Sequence, residues 1–349
     1  MAMLAERVDA VIGADTHRDT HTLEMAAPAG VPIAALTVPN SAAGFAAALA
    51  WIADHAPGPR LVAALEGTRS YGIGLARALD AAGLTVVEVE CPRRRGRRRG
   101  KSDPIDAHLA ATAALALDAA KLPVPRADGD REALRILLGA RRDLTRTRTR
   151  QVNALRALLR GGDDTDRDLA RGRLPAATLT ALARRRGRAD DTVETTVRRA
   201  EVRRLARATA AAGRELADNR RQLATLVQTM APGLQDRRGL GPVDAAQILV
   251  SWSHPGRCHS DAAFAALAGV CPVPASSGHT VRNRLNRGGD RALNRALHDI
   301  ALTRCRCDPR TRAYLARRRA EGKTDREIRR CLTRYIAREL FRTLETTTP

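Results

Sequence analysis

Aromatic side chains are scarce in this sequence. Phe, Tyr and Trp together make up 2% of its 349 residues. A surface that recognises its ligand mainly by stacking rings on aromatic side chains is therefore excluded. Any extended partner has to be held through charge, hydrogen bonds and shape instead.

Long apolar runs are also missing. No segment approaches the roughly 20 residues of a membrane-spanning helix, and the N-terminus lacks the basic start and apolar stretch of a signal peptide. The six cysteines are scattered, and Cys305 and Cys307 form a Cys-x-Cys without a second pair at zinc spacing nearby. We expect reduced thiols in a cytoplasmic protein with no membrane partner.

Positive charge is in large excess. The chain has 60 Lys and Arg against 38 Asp and Glu, which gives a formal net charge of +22. So much unbalanced charge repels itself unless a polyanion neutralises it, and guanidinium groups match phosphate oxygens well. The alternative is an arginine-biased genome whose arginines merely solvate helix surfaces. The composition favours nucleic acid, bound mainly through its backbone phosphates.

Residues 8–120 alternate between strand and helix patterns. The predicted order is three strands, a helix, a strand, a helix, a strand and a last helix. The strands are placed at 8–14, 21–27, 31–38, 60–65 and 85–90, and the helices at 41–55, 71–82 and 104–120. This order is that of the ribonuclease-H-like fold. The sequence therefore predicts an α/β domain of that class over residues 1–125.

Four acidic residues occupy the positions where that fold carries its catalytic carboxylates. Asp15 ends the first strand, Glu66 ends the fourth, and Asp103 and Asp106 lie one turn apart in the last helix. Carboxylates grouped in this way can share a divalent cation and support phosphodiester chemistry. Each residue also has a structural alternative, such as a strand end or a helix N-cap. Their joint placement on one fold favours the catalytic interpretation.

A dense basic run lies directly before the last two acids and is a candidate nucleic-acid contact. It consists of Arg93, Arg94, Arg95, Arg97, Arg98, Arg99 and Lys101. Near the acids lie Asp19, to which no role is assigned, and three histidines, His17, His21 and His108. The histidines either position water or phosphate or are ordinary surface residues.

Residues 126–230 are predicted to form a long antiparallel helical pair. Leucines and valines recur at helical spacing among many arginines on both sides of a break at residues 161–164. Such a pair can act as a coiled-coil linker and oligomerisation segment. Its arginines face either nucleic acid or solvent.

Residues 231–349 are predicted to form a mostly helical third domain. The segment from Arg238 to Ala246 resembles the hairpin of a helix-hairpin-helix, in which Gly239 and Gly241 let the backbone approach a phosphate. A plain glycine-rich helix connection is the alternative. Further along, Ser276 and Ser277 precede a glycine, where a hydroxyl can act as a nucleophile. Arginines that could stabilise the attacked phosphate follow at Arg282, Arg284, Arg287 and Arg291.

The whole chain resembles the DEDD transposases of bacterial insertion sequences, which have an N-terminal RuvC-like domain and a C-terminal domain with a conserved serine. The matching stretches lie at 12–17, 65–68, 101–107, 239–242, 272–278 and 286–294, in the family's order.

The resemblance implies roles for these residues. Asp15, Glu66, Asp103 and Asp106 would bind Mg²⁺, with Mn²⁺ as an alternative. Ser277, or else Ser276, would join covalently to a DNA phosphate. Family members assemble as dimers and tetramers, pairing the acidic domain of one subunit with the serine domain of another.

The implied function is that of an RNA-guided recombinase. An element-encoded guide RNA would pair with donor and target DNA, and the protein would be nucleoid-associated. The alternative function is a metal-dependent RuvC-like junction or flap nuclease that uses water as its nucleophile. A non-catalytic nucleic-acid-binding protein with a decayed active site is a third hypothesis, which the intact acids disfavour.

Overall fold

The computed structural model describes residues 2–89, 103–126, 129–276 and 283–347, with only the backbone described at Asp103 and Thr347. The chain divides into two compact units, Met1–Glu132 and Ala133–Pro349. The basic run from Arg93 to Lys101 lies outside the described residues.

The first unit is built on a five-stranded mixed sheet with the strand order β3-β2-β1-β4-β5. Antiparallel pairing joins β1 to β2 and β2 to β3, and parallel pairing joins β1 to β4 and β4 to β5. The strands are β1 (Ala10–Thr16), β2 (Thr20–Ala26), β3 (Pro32–Pro39), β4 (Leu61–Leu65) and β5 (Thr85–Glu88). This architecture is consistent with a ribonuclease-H-like N-terminal domain.

Helices cover both faces of this sheet. They are α1 (Ala42–His55), α2 (Ile73–Ala81) and α3 (Asp103–Leu115). Residues Trp51 and Leu75, from α1 and α2, pack with Ile12 on one face. Ala111 of α3 packs with Val11 on the other face. Because side chains alternate along a strand, the sequence of β1 supplies apolar residues to both layers.

The predicted element order of this unit is confirmed, with shifts at the ends of elements. The largest shift concerns α3, which ends at Leu115 and not near residue 120. The chain turns there so that the backbone N–H of Leu4 donates to the carbonyl of Leu117 at 2.8 Å. An isolated bridge between Met3 and Asp118 follows. The prediction placed this stretch in the helix because its alanines and leucines carry no stop signal.

The second unit contains two long helices that run antiparallel. They are α4 (Gly129–Arg160), which begins just before the unit boundary, and α7 (Val193–Met230). Asn219 donates to the carbonyl of Leu137 at 2.9 Å, and Arg198 donates to the carbonyl of Gly161 at the other end. The predicted antiparallel pairing is therefore present. Two short helices between them, α5 (Asp164–Arg171) and α6 (Ala176–Arg184), were not predicted.

The remaining elements of this unit follow α7 along the chain. They are α8 (Pro242–Trp252), α9 (Asp261–Leu267), the hairpin strands β6 (Val273–Pro274) and β7 (Asn283–Arg284), α10 (Arg291–Cys307), α11 (Pro309–Ala320) and α12 (Asp325–Thr347). Of these, α8, α9, α10 and α12 share one core, in which Trp252, Phe264, Leu297 and Ile336 are buried together. Across the described parts of both units, no helix is long and apolar enough to span a membrane.

Candidate active site

Asp15 and Glu66 follow neighbouring parallel strands. Ala14 of β1 is paired with Leu65 of β4, and the backbone N–H of Glu66 donates to the carbonyl of Ala14 at 3.2 Å. This register brings the two acids side by side at the carboxyl ends of the strands. Asp15 is buried, with 7% of its surface exposed, whereas Glu66 is half-buried.

Asp106 lies on the helix that crosses the same face of the sheet. Gly13 and Asp15 both point to the side of β1 that α3 covers, because they alternate with the oppositely packed Ile12 and Ala14. At Gly13 a Cβ atom would lie 2.1 Å from the carbonyl oxygen of Ala107. The backbones of β1 and α3 are therefore in direct contact one residue from Asp106, which is only 4% exposed.

The turn after β4 fixes Glu66 at the strand end. The Thr16 hydroxyl donates to the carbonyl of Glu66 at 2.8 Å. Gly67 then adopts a φ of +75°, and a Cβ atom there would lie 2.7 Å from that hydroxyl oxygen. A side chain at position 67 would be strained by its backbone and would crowd Thr16. The sequence Glu66-Gly67 thus holds the carboxylate beside β1.

Asp103 begins α3, one helical turn before Asp106. Its side chain is not among those described, so its part in the acid group stays a prediction. Asp19 is exposed and accepts a hydrogen bond from Nε of its neighbour Arg18 at 3.0 Å.

A further acid near this group was missed by the sequence analysis. Glu24 of β2 is 8% exposed, and its Oε1 lies 2.5 Å from Nδ1 of His108. Glu24 is paired across the ladder with Gly13, so the Glu24–His108 contact lies on the α3 face. The signal available was an acid between apolar residues in the second half of the strand, Leu23-Glu24-Met25-Ala26.

The other two histidines differ in their surroundings. His17 Nδ1 lies 3.6 Å from Asp15 Oδ2, and the His17 side chain is 45% exposed. His21 is fully buried on the opposite face, stacked on Phe45 with ring centroids 5.9 Å apart. Burial lowers the pKa of His21, as expected for a core imidazole. His21 therefore lies away from the acids, whereas His17 and His108 lie beside them.

The chemistry of the acid group fits a hard divalent cation. Asp15 and Asp106 offer carboxylate oxygens from a largely buried position, and such oxygens are the ligands that Mg²⁺ and Mn²⁺ prefer. Within the described residues, however, no three Asp, Glu, His or Cys side chains are close enough together to hold one ion. The tetrad as a metal site therefore stays a prediction.

The second predicted site lies at the β6–β7 hairpin. Its strands pair antiparallel, Val273 with Arg284 and Pro274 with Asn283. Ser276, two residues beyond β6, is exposed, as is Arg284. Ser277 and Arg282 lie outside the described residues.

The glycine-rich stretch after the hairpin has a structural role. Gly289 has a φ of +89°, and a Cβ atom there would lie 2.6 Å from the carbonyl oxygen of Leu267. Asp290 caps α10 by accepting hydrogen bonds from the backbone N–H groups of Ala292 and Leu293 at 2.8 and 3.0 Å. The Ser251 hydroxyl donates to the same carboxylate at 2.6 Å. This stretch fixes the base of the hairpin, with Arg287 and Arg291 exposed on either side.

The two glycines of the predicted helix-hairpin-helix have different environments. Gly239 has a φ of +79°, and a Cβ atom there would lie 3.0 Å from Cγ of Arg304. Gly241 is the N-cap of α8 and faces open space. The backbone conformation and close packing at position 239 are sufficient to explain a glycine there. This supports the alternative that Gly239 belongs to a plain glycine-rich connection between helices. Phosphate binding at Gly241 stays a prediction.

The five-stranded mixed sheet, with acids at the ends of two adjacent parallel strands, is consistent with a ribonuclease-H-like first unit. A transposase model of the IS110 DEDD type matches residues 12–162, and a model of the IS116/IS110/IS902 transposase family matches residues 232–316. Together these stretches make up about two thirds of the chain. The chain belongs to the IS110 family of DEDD transposases, and the resemblance seen in its motifs is confirmed.

The chain is also similar to an uncharacterised 43.6 kDa protein of insertion element IS110 from Streptomyces coelicolor. The two are 34% identical over 113 residues, which cover 32% of this chain and 28% of that relative. The α12 segment lies beyond both family matches. Its arginines were not singled out by the sequence analysis, although Arg326, Arg330 and Arg334 recur every four residues.

Proposed function

We propose that this protein is the transposase of an insertion element, cutting and rejoining DNA strands. Membership of the transposase family supports the activity. The observations that support the proposal are the β1–β4 register, which puts Asp15 and Glu66 at neighbouring strand ends, and the close approach of β1 to α3 beside Asp106. Strand exchange also accounts for the net charge of +22, since several DNA segments must be bound together.

Asp15, Glu66, Asp103 and Asp106 are the proposed ligands of Mg²⁺, with Mn²⁺ as the alternative. When bound, the ion would neutralise charge on the scissile phosphate and orient it. The protein's own part is to hold these carboxylates on rigid elements, two at strand ends and two on α3. His17, beside Asp15, and His108, anchored by Glu24, would help to position water or phosphate near this group.

Ser277, or alternatively Ser276, is the proposed nucleophile. Its Oγ would attack the phosphorus, the bond from phosphorus to the DNA 3′ oxygen would break, and the departing oxygen would take up a proton as a 3′-hydroxyl. The 3′-hydroxyl of a second strand would then attack the phosphoserine, so that the bond to Oγ breaks and the serine is protonated again. The phosphodiester energy is conserved in this exchange.

The remaining features of the proposal concern partners and assembly. The basic run before α3, the Gly239–Gly241 turn and the arginines at 282, 284, 287 and 291 would contact DNA or a guide RNA encoded by the element. The chain would assemble as dimers and tetramers, with the paired helices α4 and α7 as the oligomerisation segment. Its three proposed domains are 1–125, 126–230 and 231–349.

A covalent adduct between protein and DNA tests this proposal. The wild type and the variants Ser276→Ala, Ser277→Ala and Asp15→Asn are incubated with Mg²⁺, donor and target DNA, and RNA transcribed from the flanking non-coding sequence of the element. A denaturing gel then separates free DNA from DNA attached to protein. We expect an adduct in the wild type, its loss in one serine variant only, and its loss in Asp15→Asn.

The opposite outcome would identify a different enzyme. Cleaved DNA without an adduct, unaffected by either serine substitution, would establish the water-using nuclease. Binding without any metal-dependent cleavage would mean that the chain only binds nucleic acid.

A further inference from the structure

The second unit contains a cavity of about 910 Å³ between the base of the β6–β7 hairpin and the first half of α12. Its hairpin side includes Cys271, Pro272 and Arg284, and its helix side includes Arg326, Arg330 and Arg334. The volume lies near the upper end of the roughly 300–1,000 Å³ typical of ligand sites. It can admit a short stretch of one nucleic-acid strand, whereas a duplex would have to lie across its mouth.

The helix side presents a regular row of cations. Arg326, Arg330 and Arg334 follow one another at four-residue intervals, so they share one face of α12 with a rise of about 6 Å between neighbours. That interval is close to the separation of successive phosphates along an extended strand. In the described part of the chain, these three arginines form no salt bridge with a carboxylate, and neither do Lys323 and Arg284.

Neighbouring arginines outside this row are paired with carboxylates, unlike the three arginines of the row. Arg319 of α11 donates to both carboxylate oxygens of Asp325 at 2.8 and 3.0 Å. Arg318 is paired with Glu321. The arginines of the row are therefore available for a phosphate, since the local acids are bound to other groups.

The acid that lines the cavity, Glu327, is also engaged by its own helix start. Its Oε2 accepts hydrogen bonds from the backbone N–H and the hydroxyl of Thr324 at 2.9 and 2.8 Å. These bonds, with the nearby charges of Lys323 and Arg330, lower the pKa of Glu327. Glu327 thus serves as a capping-box residue, and the cavity keeps a strong positive excess. Among its described lining residues there is no Phe, Tyr or Trp, so stacking of bases on such rings does not contribute to binding there.

We propose that this cavity binds the phosphodiester backbone of a single nucleic-acid strand and holds it beside the serine hairpin. The inference rests on the proposed function and extends it to a strand-positioning site that includes α12. Pro272 lines the cavity and is four residues from Ser276, so their Cα atoms are at most about 14 Å apart. A strand held by the arginine row therefore runs close to the hairpin where the covalent step is proposed.

Two native thiols provide a direct test of where the strand binds. Cys271 and Cys331 line the cavity and are half-buried, while Cys307 is exposed and is not among its lining residues. The full-length protein is labelled with a maleimide, with and without a 12-nucleotide single strand of DNA or RNA or a 12-base-pair duplex, and each cysteine is quantified by mass spectrometry. We expect a single strand to slow labelling of Cys271 and Cys331 at least fivefold and to leave Cys307 unchanged.

A charge-matched pair of triple variants tests the arginines themselves. The cavity variant combines Arg326→Gln, Arg330→Gln and Arg334→Gln. The control combines Arg306→Gln, Arg310→Gln and Arg312→Gln, which removes three exposed charges from α10 and α11 of the same unit. Binding of the labelled single strand is measured by fluorescence anisotropy over a salt series. The cavity variant should reduce the slope of log K against log salt by about 2, since each phosphate contact contributes about 0.7 for a single strand.

The proposal is overturned if the two triple variants weaken binding equally, or if a bound strand protects none of the cavity cysteines. Stronger protection by duplex than by either single strand would also overturn it. Circular dichroism shows whether the variants remain folded. If a triple variant misfolds, the single variants Arg330→Gln, in the cavity, and Arg310→Gln, as its control, are compared instead. The adduct assay separates this inference from the proposed function. If the wild type forms the adduct and the cavity variant binds the strand as well as the wild type does, the cavity is not the strand-binding site. The proposed function then still stands.

Discussion

A Cβ atom added to Gly13 would lie 2.1 Å from the carbonyl oxygen of Ala107. The strand that carries Asp15 and the helix that carries Asp106 are therefore separated by no side chain at this point. Helix α3 can lie this close to the sheet only because residue 13 is glycine. The distance between the two buried carboxylates thus depends on a residue that has no functional group.

Gly13→Ala should destabilise the first unit and impair cleavage together. The added methyl group forces β1 and α3 apart, and overpacking of this kind costs about 1–3 kcal/mol of unfolding free energy. Urea unfolding followed by circular dichroism measures the cost. Gly139→Ala is the control, because that glycine lies inside α4 and a Cβ there would meet nothing closer than Arg142 Nη2 at 3.8 Å. The control should be neutral or stabilising, and an equal loss in both variants would contradict the argument.

Removal of any one acid of the proposed tetrad should strongly reduce cleavage and leave DNA binding intact. Asp15→Asn, Glu66→Gln, Asp103→Asn and Asp106→Asn each keep the side-chain size and remove the charge. We expect metal-dependent cleavage to fall roughly 100- to 1,000-fold, as when a group that stabilises transition-state charge is lost. Gel quantification of cleaved DNA, with anisotropy for binding, separates the two properties.

Asp19→Asn is the matched control for these substitutions. Asp19 lies in the turn directly after β1 but is 73% exposed and paired with Arg18. Its substitution should change cleavage less than threefold. If Asp19→Asn were as damaging as Asp15→Asn, the loss would come from general charge near β1 and not from the buried position.

The sequence was sufficient for the parts of this molecule that local patterns determine. Apolar alternation and turn residues located the five strands, and the ends of β1 and β4 located Asp15 and Glu66. The Glu24–His108 contact could not be derived in this way, because it joins residues 84 apart through the packing of α3 on β2. The cavity on α12 also depends on tertiary packing, since it forms only where the hairpin base meets the arginine row.

Arg304 is expected to be a structural arginine of the second unit. It is 8% exposed, donates to both oxygens of Glu339 at 2.8 and 3.0 Å, and donates from Nε to the carbonyl of Arg238 at 2.8 Å. These bonds hold the turn that contains Gly239 against α10. Lysine keeps the charge but lacks the planar fork that makes three such bonds.

Arg304→Lys should therefore lower the unfolding free energy by about 1–3 kcal/mol, measured from urea midpoints. Arg306→Lys, at an exposed position of the same helix, should have no measurable effect. Equal midpoints for the two variants would show that the bonds to Glu339 and Arg238 do not stabilise the fold.

Asp244 should make stability depend on pH in a direction unusual for a carboxylate. Burial raises its pKa to about 6, the nearby Asp299 adds to the increase, and Arg141 opposes it. The ordinary value in an unfolded chain is about 3.9. Between these values the folded protein binds more protons than the unfolded chain, so the free energy of unfolding falls as pH rises through this interval. The contribution of Asp244 to stability is therefore least favourable above pH 6.

Asp244→Asn should therefore raise the melting temperature at pH 8 and have a much smaller effect at pH 4. The gain at pH 8 should be about 1 kcal/mol after allowance for the partial exposure of the group. Thermal unfolding at the two pH values measures it, with the exposed Asp190→Asn as the control that should be neutral at both. A loss of stability at pH 8 would mean that the attraction between Asp244 and Arg141 outweighs the cost of burying the carboxylate. Because Asp244 lies in the first turn of α8, three residues after its N-cap Gly241, the same substitution would then be expected to loosen the start of that helix.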